Sequence, residues 1–207
     1  METSRVSENR SVNGNSVLSE IVSNGYSISG SGFSASEIHT LWQPFGYSED
    51  ECLEFAQVSN ENSSNQQIWG LRDSNSELLS ILLITKDTYA FETTEWATRE
   101  DARGRGLMNS LLQVAHWSFF ERNPNLALYA HCVHDGSMKT GLRNGGWVDE
   151  NNDLLTNHVT ISSFSPDSHN AGVSIFEDSE YLRTFALVQF AQPDLDENLV
   201  RQIISNN

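Results

Sequence analysis

The chain has 207 residues, and 12 Lys and Arg against 28 Asp and Glu give it a formal net charge of −16 at pH 7. Nucleic-acid backbones and anionic lipid surfaces attract basic faces, so this balance argues against both as partners. No apolar run approaches the roughly 20 residues that a membrane-spanning helix needs. The length suits one domain that carries polar loops and tails.

Two further features concern the compartment. The N-terminal residues contain no apolar segment of the kind that a secretory signal requires. Cys52 and Cys132 lie far apart in the chain, without the spacing of a disulfide framework or a metal site. We therefore expect a cytoplasmic protein without a metal site.

The N-terminal part of the chain differs in composition from the remainder. Residues 1–32 are rich in Ser, Asn and Gly, and we predict a flexible extension there. At most we expect a helical turn over Val17–Val22 and a short strand over Tyr26–Ser29. The strong periodic patterns lie in residues 33–165, which we predict to be the folded domain.

The predicted domain begins with two helices and three strands. Ser34 and Glu37 have capping-box spacing, and Pro44 ends the helix that they begin. A second helix follows Ser48. Apolar runs and β-branched residues then predict an antiparallel meander of strands at Gln67–Leu71, Leu78–Thr85 and Tyr89–Thr98.

A long helix follows the meander. Apolar residues recur at i, i+4 spacing from Leu107 to Phe119 and predict an amphipathic helix. Shorter elements come next: a strand over Leu126–Val133, a helix over Asp135–Asn144, and strands at Trp147-Val148 and Asn157–Phe164.

The C-terminal part, residues 166–207, is acidic, and we predict a partly helical extension. Helical patterns cover Tyr181–Gln189 and Asn198–Ile204.

The loop between Thr98 and Leu107 is the segment most informative about function. Gly104 and Gly106 permit positive φ angles and close approach of a ligand to the backbone. The amides that open the following helix lack intrahelical acceptors and form an anion site with the helix dipole. Three arginines lie in the same loop: Arg99, Arg103 and Arg105. A diphosphate fits this pattern, and so does an ordinary strand–helix loop with solvated arginines.

The spacing excludes a P-loop and a GxGxxG dinucleotide turn.

The segment Arg103-Gly-Arg-Gly-Leu-Met108 resembles the acyl-CoA pyrophosphate loop of the GNAT superfamily of N-acyltransferases. That loop has the pattern Gln/Arg-x-x-Gly-x-Gly/Ala, so Arg103 and Gly106 match it and Met108 departs from it. The order of elements over roughly residues 34–164 is also similar. The resemblance implies an α+β fold with a mixed, mostly antiparallel twisted sheet flanked by helices.

A finer similarity points to the branch of β-lysine N-acetyltransferase-like proteins. It rests on Ser137-Met138, Gly146-Trp147 and Leu155-x-Asn157-His158-x-x-Ile161.

The GNAT resemblance also implies acetyl-CoA as acyl donor and assigns its contacts. Backbone groups of Trp96, Ala97 and Thr98 would pair with pantetheine. The diphosphate would lie on the loop amides of Arg103, Gly104, Arg105, Gly106, Leu107 and Met108. Asp135 and Ser137 would line the far side of the cleft. Leu142 stands where the family often has a tyrosine that acts as general acid, so the source of that proton stays open.

Transfer to an amine needs a base, because only the neutral amine attacks a thioester. Glu92 and Glu95 lie on the strand before the loop. Strict alternation puts Glu92 on one face with Thr94, Trp96 and Thr98, and Glu95 on the other. We predict Glu92 as the base, and Glu95 if a bulge changes the alternation. Either could instead bind a cationic acceptor.

Together these features predict an N-acyltransferase that acetylates a primary amine of a small acceptor, which we expect to be cationic. Asn157 and His158 are predicted to line the acceptor pocket. Two alternatives stay open: a non-catalytic acyl-CoA-binding protein of the same fold, which Met108 and Leu142 favour, and an acidic protein-interaction module. The sequence predicts no oligomeric state.

Overall fold

The computed structural model describes residues 10–60, 65–86, 90–132, 140, 172–178, 183–190 and 192–205. Its helices are α1 (Arg10–Ser23), α2 (Ala35–Trp42), α3 (Glu49–Asn60), α4 (Leu107–Arg122) and α5 (Glu197–Ser205), with short 3-10 helices at Gln43–Phe45 and Glu100–Ala102. Its strands are β1 (Ser27–Ser29), β2 (Gln66–Arg72), β3 (Leu78–Lys86), β4 (Phe91–Thr98), β5 (Leu128–Cys132), β6 (Gly172–Asp178) and β7 (Arg183–Phe190).

Within the described residues, seven strands form one sheet in the order β1-β2-β3-β4-β5-β7-β6. Every neighbouring pair is antiparallel except β4 and β5, which run parallel. The predicted mixed, mostly antiparallel sheet flanked by helices is therefore confirmed.

Two clusters of buried side chains cover the two faces of the sheet. On one face, which we call the α4 face, strand residues pack with α4, α1 and α5. On the other, the α2–α3 face, they pack with α2 and α3. β3 is buried along most of its length because it contributes to both clusters, as its continuous apolar run predicts.

The helices on the α2–α3 face begin with reciprocal caps. The Ser34 amide donates to the Glu37 carboxylate at 2.9 Å, and the Glu37 amide donates to the Ser34 hydroxyl at 3.3 Å. This confirms the predicted capping box of α2. Ser48 and Glu51 repeat the arrangement at the start of α3, with distances of 2.8 and 3.3 Å.

Residues 10–32 contribute to the core, which contradicts the flexible extension predicted there, while residues 1–9 lie outside the described residues. Leu18 and Ile21 of α1 are buried on the α4 face, and β1 adds a strand beside β2. Ser and Asn dominate the composition there, and they conceal the short apolar stripe that tertiary packing uses.

The C-terminal stretch also joins the sheet and core. The helix predicted over Tyr181–Gln189 is wrong, because Arg183–Phe190 is a strand that pairs with β5 on one side and β6 on the other. Pairing along both edges outweighs the local helical pattern. The helix predicted over Asn198–Ile204 is confirmed by α5. Elements from both sides of the predicted domain 33–165 thus belong to one core.

Other predicted elements lie outside the described residues. These are the helix over Asp135–Asn144, apart from Thr140, and the strands at Trp147-Val148 and Asn157–Phe164. None of the described helices combines the length and apolar character needed to cross a membrane.

Candidate functional site

The parallel strands β4 and β5 part soon after they meet. Their register pairs Phe91 with Leu128 and Glu92 with Tyr129. Beyond these residues, no described strand pairs with the β5-facing edge of β4, whereas its other edge stays paired with β3 as far as Thr98. The second half of β4, where we expected Trp96, Ala97 and Thr98 to act, therefore has an edge that no described strand covers.

A bulge interrupts β4 in this region. Leu83 pairs with Thr94 and Ile81 with Ala97, so Glu95 and Trp96 together lie opposite the single residue Leu82. Glu95 has a φ of 55°, which is unusual for a residue with a side chain. The bulge bends the strand at the point where it has left β5.

Side chains from the α2–α3 face hold the bulged residue. The Trp42 indole donates to the Glu95 carbonyl at 2.9 Å, and the Tyr47 hydroxyl lies near the Glu95 carboxylate. The rings of Trp42 and Tyr47 lie 5.5 Å apart, and Phe55 packs against both. Burial raises the pKa of Tyr47, and the contact with Glu95 raises it further. Tyr47 therefore stays neutral at physiological pH.

The bulge changes which side chains share a face of β4. Thr93 contacts His116 of α4, and Trp96 packs against the same core, although the two residues are three positions apart. Ala97 packs on the opposite, α2–α3 face. The predicted alternation, which put Glu92 and Trp96 on one face, is therefore wrong beyond Thr94.

The two predicted carboxylates occupy different surroundings. Glu92 lies where β4 and β5 are still paired, and its carboxylate is 3.5 Å from the Tyr129 hydroxyl. Burial raises the pKa of the Cys132 thiol to about 12, and the nearby Glu92 charge adds to the effect. Glu95 lies further along, where the strands have parted.

The loop after β4 has the backbone that its glycines predict. Gly104 and Gly106 have φ angles of 76° and 73°, in the left-handed region, and no atom lies within 4 Å of a side chain built on either. Gly106 is the N-cap of α4, and the helical bonding starts with the Ser110 amide donating to the Gly106 carbonyl at 3.2 Å. The amides of Leu107 and Met108 precede that bond, so they open the helix as an anion site requires.

The three loop arginines are not equivalent. Arg99 donates to Glu77 and Asp101, each at 2.7 Å, and so its charge is balanced by two carboxylates. Arg103 donates through Nε to the Thr98 carbonyl at 3.1 Å, and Arg105 contacts Tyr26. Only Arg103 and Arg105 thus keep a charge that no described carboxylate balances in an ion pair, so the loop is less basic than its composition suggests.

The structure explains how the loop tolerates Met108, the residue that differs from the pattern of the similar loops. Its side chain packs, partly buried, against the core on the α4 face. The bulk that replaces the family's small residue is thus accommodated by the core beneath the loop.

Five residues of the predicted site cannot be placed. Asp135, Ser137, Leu142, Asn157 and His158 lie outside the described residues, so their predicted roles stay predictions. Sequence reasoning missed Tyr47. The one available signal was the turn at Pro44 and Gly46, which brings Tyr47 back beside Trp42.

No model of a known protein family matches the sequence, and no curated protein matches it. Solved structures do match the fold. A chimera of the spermidine N-acetyltransferase SpeG from Vibrio cholerae and hSSAT has a TM-score of 0.51 at 14% identity, over 81% of this chain and 96% of that chain. The ribosomal-protein-S18-alanine N-acetyltransferase from Escherichia coli has a TM-score of 0.51 at 12% identity, over 84% and 97%. A mutant of the Vibrio cholerae enzyme has a TM-score of 0.52 at 11% identity, over 81% and 94%. The chain therefore has the fold of GNAT N-acetyltransferases, as the loop and the element order predicted.

Proposed function

We propose that the protein is an N-acyltransferase that moves an acetyl group from acetyl-CoA to a primary amine of a small cationic acceptor. One observation carries the proposal. On an N-acetyltransferase fold, β4 parts from β5, bulges at Glu95, and leads directly into a glycine loop that opens α4.

The described residues fit the parts of an acyl-CoA. The left-handed Gly104 and Gly106 leave space beside the loop, and the first amides of α4 would receive the diphosphate. The parted edge of β4 offers backbone groups to the pantetheine arm, whose amides need such partners. When bound, the thioester supplies the activated acyl carbon that the amine attacks.

We assign the base to Glu95 in preference to Glu92. Glu95 lies at the parted strands, whereas Glu92 lies beside Tyr129 in the paired region. The carboxylate oxygen of Glu95 would take the proton of the ammonium group, directly or through one water molecule. Tyr47 lies beside this carboxylate and would help to keep it in place.

The surroundings of Glu95 suit a cation. The aromatic rings of Trp42, Tyr47 and Phe55 form a compact cluster next to it. The Glu51 carboxylate is close enough to act on the Tyr47 hydroxyl. Carboxylates attract ammonium groups, so a cationic amine is the acceptor that this side of the sheet favours.

The test combines binding with turnover. Calorimetry measures acetyl-CoA affinity, and a thiol-release assay with a panel of amines measures transfer. Gly106→Glu should abolish acetyl-CoA binding, because it adds bulk and negative charge where the diphosphate is proposed to lie. Gly32→Glu is the matched control, since Gly32 also has a positive φ, 81°, and open space around it, but lies outside the loop.

Three outcomes separate the candidate functions. Binding with thiol release supports the transferase. Binding without release from any amine replaces it with a non-catalytic acyl-CoA-binding protein. Unchanged affinity in a folded Gly106→Glu protein, or no binding by the unsubstituted protein, rejects the assigned site.

A further inference from the structure

We propose that Tyr26 positions Arg105 for the acyl-CoA diphosphate, so that the corner joining α1 to β1, residues 24–26, is part of the donor site. This inference rests on the proposed function. It concerns a segment whose composition predicted only a flexible extension.

Two contacts join Tyr26 to Arg105. The guanidinium donates through Nη2 to the Tyr26 hydroxyl, and it also lies over the Tyr26 ring, 5.6 Å from the ring centroid. Both contacts place the guanidinium at the hydroxyl end of the Tyr26 ring. Together they restrict an arginine that would otherwise sample many rotamers.

The contact with Tyr26 does not neutralise the positive charge of Arg105. Arg99 is paired with two carboxylates, whereas a phenol is neutral. A guanidinium held by a phenol is oriented without being neutralised, and its remaining donors can serve a phosphate. Arg105 directly precedes Gly106, the N-cap of α4, where the diphosphate is proposed to bind.

A cavity of about 190 Å³ joins the corner to the start of α4. Tyr26 and Arg105 line it together with Leu107 and Ser110 of the first turn. Glu20 of α1 lines the same space. An Arg105 released from Tyr26 would therefore have a carboxylate within the same cavity, and pairing with it would remove charge from the loop.

The inference gives a graded expectation. Tyr26→Phe removes the hydrogen bond and keeps the ring, so acetyl-CoA affinity should fall about two- to threefold. Tyr26→Ala removes both contacts, so it should fall about five- to tenfold. S-acetylpantetheine lacks the diphosphate, and its kcat/KM should be the same in all three proteins.

A double-mutant cycle with Arg105→Gln tests whether Tyr26 acts through the arginine. Arg105→Gln should weaken acetyl-CoA binding measured by calorimetry, and adding Tyr26→Phe should change it no further. Equal thermal unfolding of Tyr26→Phe and the unsubstituted protein is the control for folding.

Three results would overturn the inference while leaving the transferase intact. They are unchanged acetyl-CoA affinity in both Tyr26 variants, an equal loss with S-acetylpantetheine, or a Tyr26 effect that persists fully in the Arg105→Gln background. Failure of the unsubstituted protein to bind acetyl-CoA would instead reject the proposed function, and the inference with it.

Discussion

The bulge at Glu95 decides which side chains of β4 share a face. The sequence identified both candidate carboxylates, and strict alternation favoured Glu92. The choice depends on the pairing of Glu95 and Trp96 against Leu82, which no local pattern reveals. A glycine often marks a bulge, and here the left-handed position is a glutamate held by Trp42 and Tyr47.

We expect Glu95→Gln to lower kcat for amine acetylation about 10²–10⁴-fold, the range for loss of a general base. The loss should shrink at high pH, where more of the acceptor is already neutral. Steady-state kinetics across pH, with acetyl-CoA affinity measured separately, checks this.

Glu92→Gln is the matched control, and it should retain most of the rate. A large loss in Glu92→Gln with a near-normal Glu95→Gln would return the base to Glu92, which simple alternation predicted.

His116 is a buried polar residue next to the same strand. It is 1% exposed, its Nε2 lies 3.0 Å from the Thr93 hydroxyl, and its ring packs 4.3 Å from that of Phe190. Burial lowers its pKa from 6.5 to about 3.

This histidine predicts how stability depends on pH. Between its folded pKa and about 6.5 the unfolded chain binds a proton that the folded protein excludes, so stability rises with pH and falls as pH drops below about 6.5. One such group contributes at most about 1.4 kcal/mol per pH unit. Urea unfolding of the unsubstituted protein and of His116→Gln, compared between about pH 5 and pH 6.5, should show a smaller slope in the variant.

Comparing the two proteins above about pH 5 avoids a contribution from Glu37, a second group whose pKa is shifted. Partial burial raises the pKa of Glu37, but hydrogen bonds from Arg72 and Ser34 outweigh that effect and lower it to about 2. Glu37 therefore changes stability in the same direction only at lower pH. Equal slopes for the two proteins above about pH 5 would contradict the assignment to His116.

At the scale of elements, patterns that involve a single segment were predicted well. The central strands β2 and β3 and the helices α2 and α4 follow from apolar runs, i, i+4 spacing and a capping box. β7 was not predicted, because its strand form depends on pairing with β5 and β6. The parting of β4 from β5 was not predicted either, because it also depends on pairing between strands.

Close packing between β2 and the residues before α2 gives a stability prediction. A side chain on Gly70 would collide with the Phe33 ring and lie 2.7 Å from Cδ1 of Leu78. Gly70→Ala should lower the free energy of unfolding by about 1–3 kcal/mol, the usual cost of overpacking. Urea or thermal unfolding measures it.

Gly30→Ala is the control for this substitution. Its added Cβ would lie 3.6 Å from the Trp69 ring, which is ordinary contact, so its effect should be clearly smaller. Equal stability of Gly70→Ala and the unsubstituted protein would show that Phe33 moves aside at no cost.

At the scale of the whole molecule, the net charge of −16 would act on the proposed acceptor. Arg99 is balanced by Glu77 and Asp101, and Arg103 and Arg105 lie at the proposed diphosphate site. The proposed acceptor side, with Glu51 and Glu95, is thus left acidic. This field draws a cation towards the site and is screened over about 8–10 Å near physiological salt.

We therefore expect kcat/KM for the acceptor to fall as salt rises, while kcat changes little. Kinetics with the best amine of the panel, from about 20 to 300 mM salt, measures this at saturating acetyl-CoA. A flat kcat/KM, or a best substrate that is an anionic amino acid, would contradict the electrostatic argument and leave the transfer reaction itself untouched.

The contact between the first and last described helices has a consequence for synthesis. α1 packs against α5, and Leu18, Ile21, Val200 and Ile203 are buried in one cluster. A ribosome adding roughly 5–20 residues per second makes α5 on the order of ten seconds or more after α1. Throughout that interval the apolar stripe of α1 lacks its final cover. The nascent chain can therefore complete its core only after α5 has left the exit tunnel.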